Sequence, residues 1–166
     1  MKLIIPTLFI SITLSACGIY SFTGASIPKN ASTFSVNYFT TNTTNYPSSL
    51  NHLITEGLKD LLLSQTNLSL TELESDLIFS GSITKYKITP IAIQANEIAG
   101  KNRLTIELKV NYKNNLNKKL NFDSVFSRYR DFNTSENLSD VEDILIEEII
   151  KEILQDIFNK AFVNWW

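Results

Sequence analysis

The sequence predicts an α+β domain in which two helices pack on one face of a mainly antiparallel four-stranded sheet, in the order β-α-β-β-β-α. Three observations carry that prediction. Leu104, Ile106, Leu108, Val110 and Tyr112 alternate without a break against Arg103, Thr105, Glu107, Lys109 and Asn111, the period of a strand with one buried face. Leu50, Leu53, Ile54, Gly57, Leu58, Leu61 and Leu62 recur at helical spacing and define one apolar stripe. Ile146, Ile149, Ile150, Ile153, Leu154, Ile157, Phe158 and Ala161 form a second, wider apolar arc.

In chain order, residues 1–16 read as a lipoprotein signal peptide. Lys2 is the positive start and Leu3 to Leu14 a short apolar run, broken by Pro6 and shorter than the roughly 20 residues a spanning helix needs. Leu14-Ser15-Ala16-Cys17 then has the form of a lipobox, with Cys17 the expected site of acylation (palmitate among the chains). Cys17 is the one cysteine of the 166-residue chain, so no intramolecular disulfide is available. The following residues, Gly18 to Phe22, carry no acid, which points to a lipid anchor on the outer membrane with the domain facing the periplasm. Residues 17–32 are expected to be a lipidated tether, and 33–166 a single domain.

Phe34, Val36 and Tyr38 predict the first strand, Thr40 to Pro47 a polar loop, and Ser48 or Ser49 the cap of the first helix. Gly57 lies on that helix's apolar face, where a missing side chain lets another element come close. Leu77, Phe79, Gly81 and Ile83 share one parity and Tyr86 and Ile88 the other, so a bulge or strong twist is expected beside Gly81. The turn at 114–119 leads into a partner strand bearing Leu120, Phe122 and Phe126. Ser139 and Glu142 have the spacing of a capping box for the last helix, with Asp140 and Asp143 in its first turn.

No catalytic constellation accompanies these elements. His52 is the one histidine and falls off the apolar stripe, as a solvent-exposed helix residue would. With one His and one acylated Cys there is no zinc spacing and no Cys/His or Ser/His/Asp set. No nucleophile elbow or phosphate-cradling glycine loop is present. The expectation is therefore no enzyme activity, no cofactor and no metal.

Charge is unevenly placed. Between Lys85 and Arg130 ten Lys/Arg stand against Glu97, Glu107 and Asp123, whereas from Asp131 onward nine acids stand against Lys151 and Lys160. Such a split arises from solvated faces that attract each other, or from a surface built for an anion. Arg103, Lys109 and Lys113 fall on the strand face opposite the core residues, Lys85 and Lys87 precede the long Pro90–Asn102 connection, and Lys101 ends it. These six form the candidate anion-facing set, with that connection as its tip. An ordinary hairpin carrying solvated lysines is the competing reading.

Several stretches resemble the LptE family of lipopolysaccharide-assembly lipoproteins, in its divergent branch. They are Cys17-Gly-Ile-Tyr-Ser-Phe-Thr-Gly-Ala-Ser-Ile-Pro28, Thr33-Phe-Ser-Val36, Leu58-Lys-Asp60 and Leu63-Ser-Gln-Thr66. Further on come Ser80-Gly-Ser-Ile-Thr84, Ile88-Thr-Pro90, Ile93-Gln94, Asn102-Arg-Leu-Thr-Ile106, Val141-Glu-Asp-Ile144 and Asp156-Ile-Phe-Asn-Lys-Ala-Phe-Val-Asn-Trp165. The resemblance implies a protein that sits in the lumen of the outer-membrane β-barrel LptD, helps it assemble and binds lipopolysaccharide on its way to the cell surface. It also implies two helices against a four-stranded sheet. The better-studied branch offers no lipopolysaccharide-contact motif that matches this sequence, so no contact residue is carried over. The partners so implied are an LptD-like barrel, lipopolysaccharide and, through Cys17, a membrane, with no nucleic acid. An envelope lipoprotein with a structural or small-ligand-binding role, and no barrel partner, is the alternative. Trp165 and Trp166 would then serve only the core and the terminus.

Overall fold

The computed structural model describes residues 27–28, 30–91 and 100–163. The signal peptide, Cys17, most of the tether, the centre of the 90–102 connection and the two terminal tryptophans lie outside the described residues. Six strands and two helices follow in order: β1 (Thr33–Val36), β2 (Thr40–Thr41), α1 (Leu50–Gln65), β3 (Ser69–Leu70), β4 (Leu77–Ile91), β5 (Lys101–Asn114), β6 (Phe122–Asn133) and α2 (Leu138–Phe162).

The sheet corrects the expected one. It is mixed and six-stranded, ordered β3-β1-β4-β5-β6 with β2 also paired to β4. β1 runs parallel to both β3 and β4, and β2 parallel to β4, whereas β4-β5-β6 is an antiparallel meander. The cause is α1. A helix that carries the chain back along the sheet between two neighbouring strands makes them parallel. The two extra strands are two residues each, too short to show a period, and β2 falls inside the stretch expected to be loop.

Both helices lie on the face that carries Phe34, Phe79, Ile83, Leu104, Ile106, Leu108, Val110 and Tyr112, all buried. A Cβ on Gly57 would sit 2.8 Å from Leu154 Cδ1, so the glycine does mark a close approach of α2 to α1. The expected irregularity near Gly81 is a register shift between Ile83 and Lys85. Gly81 itself has a second use: a Cβ there would lie 2.5 Å from both the Phe39 ring and the Lys109 carbonyl oxygen. Phe39 is held in that position by α1. The Asn51 amide donates to the Phe39 carbonyl (2.7 Å), and the Phe39 N–H donates to Thr55 Oγ1 (3.1 Å).

The expected caps are not formed. Ser49 is the residue before α1 but has helical dihedrals and makes no side-chain cap bond. α2 begins at Leu138, so Ser139 is already inside the helix, and its hydroxyl turns to Asp140 instead. Glu142, the other half of the expected box, accepts a 2.5 Å hydrogen bond from the Tyr86 hydroxyl of β4. Of the two expected first-turn acids, Asp140 alone lies in the first turn.

Candidate functional site on the open face of the sheet

The face opposite the helices is uncovered by any element among the described residues. Its membership follows from the strand register. Lys85 lies opposite Glu107, Lys87 opposite Thr105, and Ile91 opposite Lys101. Arg103 lies opposite Asp131, Lys109 opposite Val125, and Asn111 opposite Asp123. Side chains alternate along a strand, so Lys101, Arg103, Lys109 and Lys113 share the face pointing away from the buried Leu104–Val110 series. Lys85 and Lys87 join it through their register partners. All six candidate cations thus stand on one face, together with Glu107, Asp123 and Asp131.

They share the face without forming a bare cationic patch. Arg103 is held by both carboxylate oxygens of Asp131, at 2.7 and 2.9 Å, and its guanidinium lies 3.7 Å from the centre of the Tyr129 ring. The Asp131 carboxylate, stabilised by that guanidinium, titrates below its ordinary range, and Arg103 above its own. Lys85 pairs with Glu107 at 3.3 Å and Lys109 with Asp123 at 3.3 Å. Lys87 and Lys113 are both exposed and have no ion pair among the described residues, but they occupy opposite ends of the sheet.

The tip also differs from expectation. Pro90 and Ile91 continue β4, and Lys101 and Asn102 open β5 opposite them, so the connection outside the strands is 92–100. Pro90 is tolerated because β2 pairs only as far as Ile83, leaving this part of β4 at an edge where no N–H is needed. Beside that tip, Lys101 lines a cavity of about 350 Å³ with Asp131, Asn133 and Glu136 on the polar side. Phe132, Val141, Ile144 and Leu145 supply its apolar wall.

Two of the remaining basic residues of the middle segment serve the fold. Arg128 and Arg130 project to the helix side of β6. Arg128 contacts Asp156 (2.7 Å) and Glu152 (3.8 Å), while Arg130 contacts Glu148 (2.7 Å) and Glu152. The opposed charges of the middle and C-terminal segments therefore meet in part across the β6–α2 interface. Composition alone missed the role of β6 on the open face. Val125 and Tyr129 are exposed there between Asp123 and Asp131, a pattern visible only once their shared parity is known.

Two helices on one side of a mixed sheet define the class: a small α+β domain of a kind found in other bacterial proteins of known structure. A hypothetical protein of Chlamydia trachomatis superimposes with a TM-score of 0.55 at 9% identity, over 81% of this chain and 99% of that one. A minor lipoprotein of Acinetobacter baumannii matches with a TM-score of 0.50 at 12% identity, over 78% and 91% of the two chains. A protein of Xanthomonas campestris gives 0.50 at 7% identity, over 81% and 87%. A comparison with curated proteins returns no match. The family model described as LptE, lipopolysaccharide-assembly, matches residues 31–161, and this chain belongs to the LptE family.

Proposed function

We propose that the chain is an outer-membrane lipoprotein that occupies the lumen of an LptD-like β-barrel, helps that barrel assemble and takes part in lipopolysaccharide transport to the cell surface. Membership of the LptE family supports the process. The open face is the observation that supports the seat. A body lodged in a hydrated barrel must present polar groups to the wall. Here the apolar side of the sheet is sealed by two helices, while the other side carries six cations, three acids and a series of hydroxyl and amide side chains. Cys17, outside the described residues, would supply the lipid attachment, and no helix among the described residues is long and apolar enough to cross a membrane. The proposed arrangement is a signal peptide of 1–16, a tether of 17–32 and a domain of 33–166.

Within this reading Lys85, Lys87, Lys101 and Arg103 face the phosphates of lipopolysaccharide, for which Lys and Arg are the natural partners. The adjoining 350 Å³ cavity has the mixed polar and apolar lining an amphiphile needs. Lys109 and Lys113 extend the same face away from the tip.

Co-purification tests the seat. The tagged full chain, extracted from outer membranes in mild detergent, should bring down a barrel of LptD size. Recovery of the chain as a monomer without a barrel would support the alternative of a free-standing envelope lipoprotein. Metabolic labelling with a palmitate analogue should mark the wild type and fail to mark Cys17→Ser.

A further inference from the structure

We infer that the end of the domain where the tether enters is a membrane contact in its own right. Leu73, Leu116 and Leu120 lie among the headgroups of a zwitterionic phospholipid leaflet, the one that holds the acyl chains of Cys17. The inference rests on the acylation of Cys17 proposed above and adds to that anchor a second, orienting contact. Three pieces of chain meet at this end. Asp76 Oδ2 accepts from the backbone N–H groups of Ser32 and Thr33, which fixes the point where the tether joins the body. In the same loop the Asp76 carbonyl accepts from the Asn115 N–H (2.8 Å) and the Ser75 carbonyl from the Asn115 side-chain amide (2.7 Å). The tether entry, the 71–76 loop and the 115–121 turn are therefore one joined surface. It stands at the opposite end of β4 and β5 from the 92–100 connection.

Four of the ten large apolar side chains that stand exposed among the described residues belong to this end: Leu70, Leu73, Leu116 and Leu120. Leu73, in the loop, is the most exposed of the ten at 83%. A leucine alone on a surface means little, whereas a group of them on adjoining loops marks a contact. The backbone beneath them suits a medium poor in water. Asn114 Oδ1 accepts from the N–H groups of Leu116 and Asn117. Asn117 accepts from Lys119 through its side chain and from Leu120 through its carbonyl. In the loop, Thr71 Oγ1 accepts from the Leu73 N–H. Covering the leucines with lipid strands none of these donors.

Two observations select a lipid leaflet as the occupant. The first is the leash. Cys17 is fifteen residues from Ser32, a reach of at most about 54 Å, so an acylated Cys17 keeps this end of the body near the leaflet. The second is charge. Lys113, Lys118, Lys119, Glu72 and Glu74 all stand exposed around the leucines, and no ion pair engages any of the five among the described residues. A headgroup that carries both a phosphate and an ammonium answers both signs, and lysine stems can run over the leucines to reach the phosphates. The end of α2 is here as well, since the Phe162 ring lies 6.2 Å from Phe79 and 6.4 Å from Tyr112. Trp165 and Trp166, outside the described residues, are thereby within about 14 Å of Phe162 along the chain, and tryptophan favours the headgroup level. This base is separate from the polar face proposed to meet the barrel wall, and both can be engaged at the barrel's periplasmic mouth.

The acylated chain, extracted from membranes and reconstituted alone into phosphatidylcholine–phosphatidylethanolamine vesicles, tests the inference. A fluorophore is attached through Leu73→Cys, Leu116→Cys or, toward the far end of β4, Lys87→Cys; acylation leaves Cys17 no thiol to label. Lipids with a nitroxide at headgroup level should quench the labels at positions 73 and 116 at least threefold more than the label at 87. Leu73→Glu together with Leu120→Glu should cut quenching at position 116 at least twofold, with circular dichroism unchanged. Adding anionic phosphatidylglycerol should alter the quenching less than twofold, and a larger gain would overturn the zwitterionic assignment. Equal quenching at the three positions, or no effect of the paired glutamates, in a chain shown to carry the palmitate analogue would overturn the proposal and leave the anchor standing. A label at position 73 that escapes lipid quenching, at a site that crosslinks to a protein in outer membranes, would overturn it in favour of a protein cover. A wild-type chain that takes up no palmitate analogue would overturn the anchor and the proposal together.

Discussion

The Tyr86 hydroxyl donates a 2.5 Å hydrogen bond to Glu142 Oε1, tying the outer end of β4 to the first turns of α2 across 56 residues of sequence. Burial and the Glu142 carboxylate both push the phenol above its ordinary range, burial most. A raised folded-state pKa gives stability that is complete below the unfolded value, about 10 for tyrosine, and is lost as pH rises beyond it. Tyr86→Phe should therefore lower stability by about 1–2 kcal/mol at pH 7, the order expected for a bond to a charged group. The gap between the two proteins should close in denaturant titrations carried out above about pH 10.

The two glycines at contacts predict opposite tolerances. At Gly57 the obstructing atom is the far end of the flexible Leu154 side chain. Alanine there also gains about 1 kcal/mol of helix propensity. Gly57→Ala should stay within about 1 kcal/mol of the wild type, whereas the bulkier Gly57→Ile should cost about 2 kcal/mol or more. At Gly81 the obstruction is the Lys109 carbonyl and the Phe39 ring, both fixed. Gly81→Ala should cost about 3 kcal/mol, read as a fall of several degrees in Tm.

Asp76 gathers the entry of β1. Its Oδ2 accepts from the backbone N–H of Ser32 and Thr33 and from both their hydroxyls, at 2.9–3.1 Å. Those donors, the backbone pair foremost, hold its carboxyl below the ordinary range. A lowered pKa stabilises at neutral pH, and that contribution disappears as pH falls below about 4. Protection of the β1 amides against hydrogen exchange, corrected for the intrinsic pH dependence of exchange, should fall in the wild type as pH drops below about 4. In Asp76→Asn that protection should already be low at pH 7 and change little on acidification.

Arg130 bridges Glu148 and Glu152 and is the hub of the β6–α2 ion pairs. Because these groups remain well exposed, the whole arrangement contributes modestly. Arg130→Gln should lower stability by roughly 1 kcal/mol at low salt, and by clearly less in 1 M NaCl, where screening reaches about 3 Å.

Much of this molecule is legible where a pattern is local and long. The strict alternation from Leu104 to Tyr112 defines β5 and, by parity, which face Arg103, Lys109 and Lys113 occupy. Gly57 and the parity change after Ile83 are equally local signals. What escapes is set by distance along the chain. The parallel pairing of β1 with β4 and the Asp76–Ser32 contact join residues more than forty positions apart. Capping fails as a guide because α2 starts at Leu138, one residue before Ser139, once Glu142 is taken by Tyr86. On the candidate site, cation positions are readable but their neutralisation is not. Arg103 meets Asp131 only because the turn after Asn114 sets that register.

The proposal that the open face lies against a barrel wall is decided by photo-crosslinking in living cells. A crosslinking amino acid at Thr105, in the middle of that face, should give an adduct of the chain with an outer-membrane barrel of LptD size. If Thr105 gives no barrel adduct while the chain is folded and present in the outer membrane, the claim is contradicted.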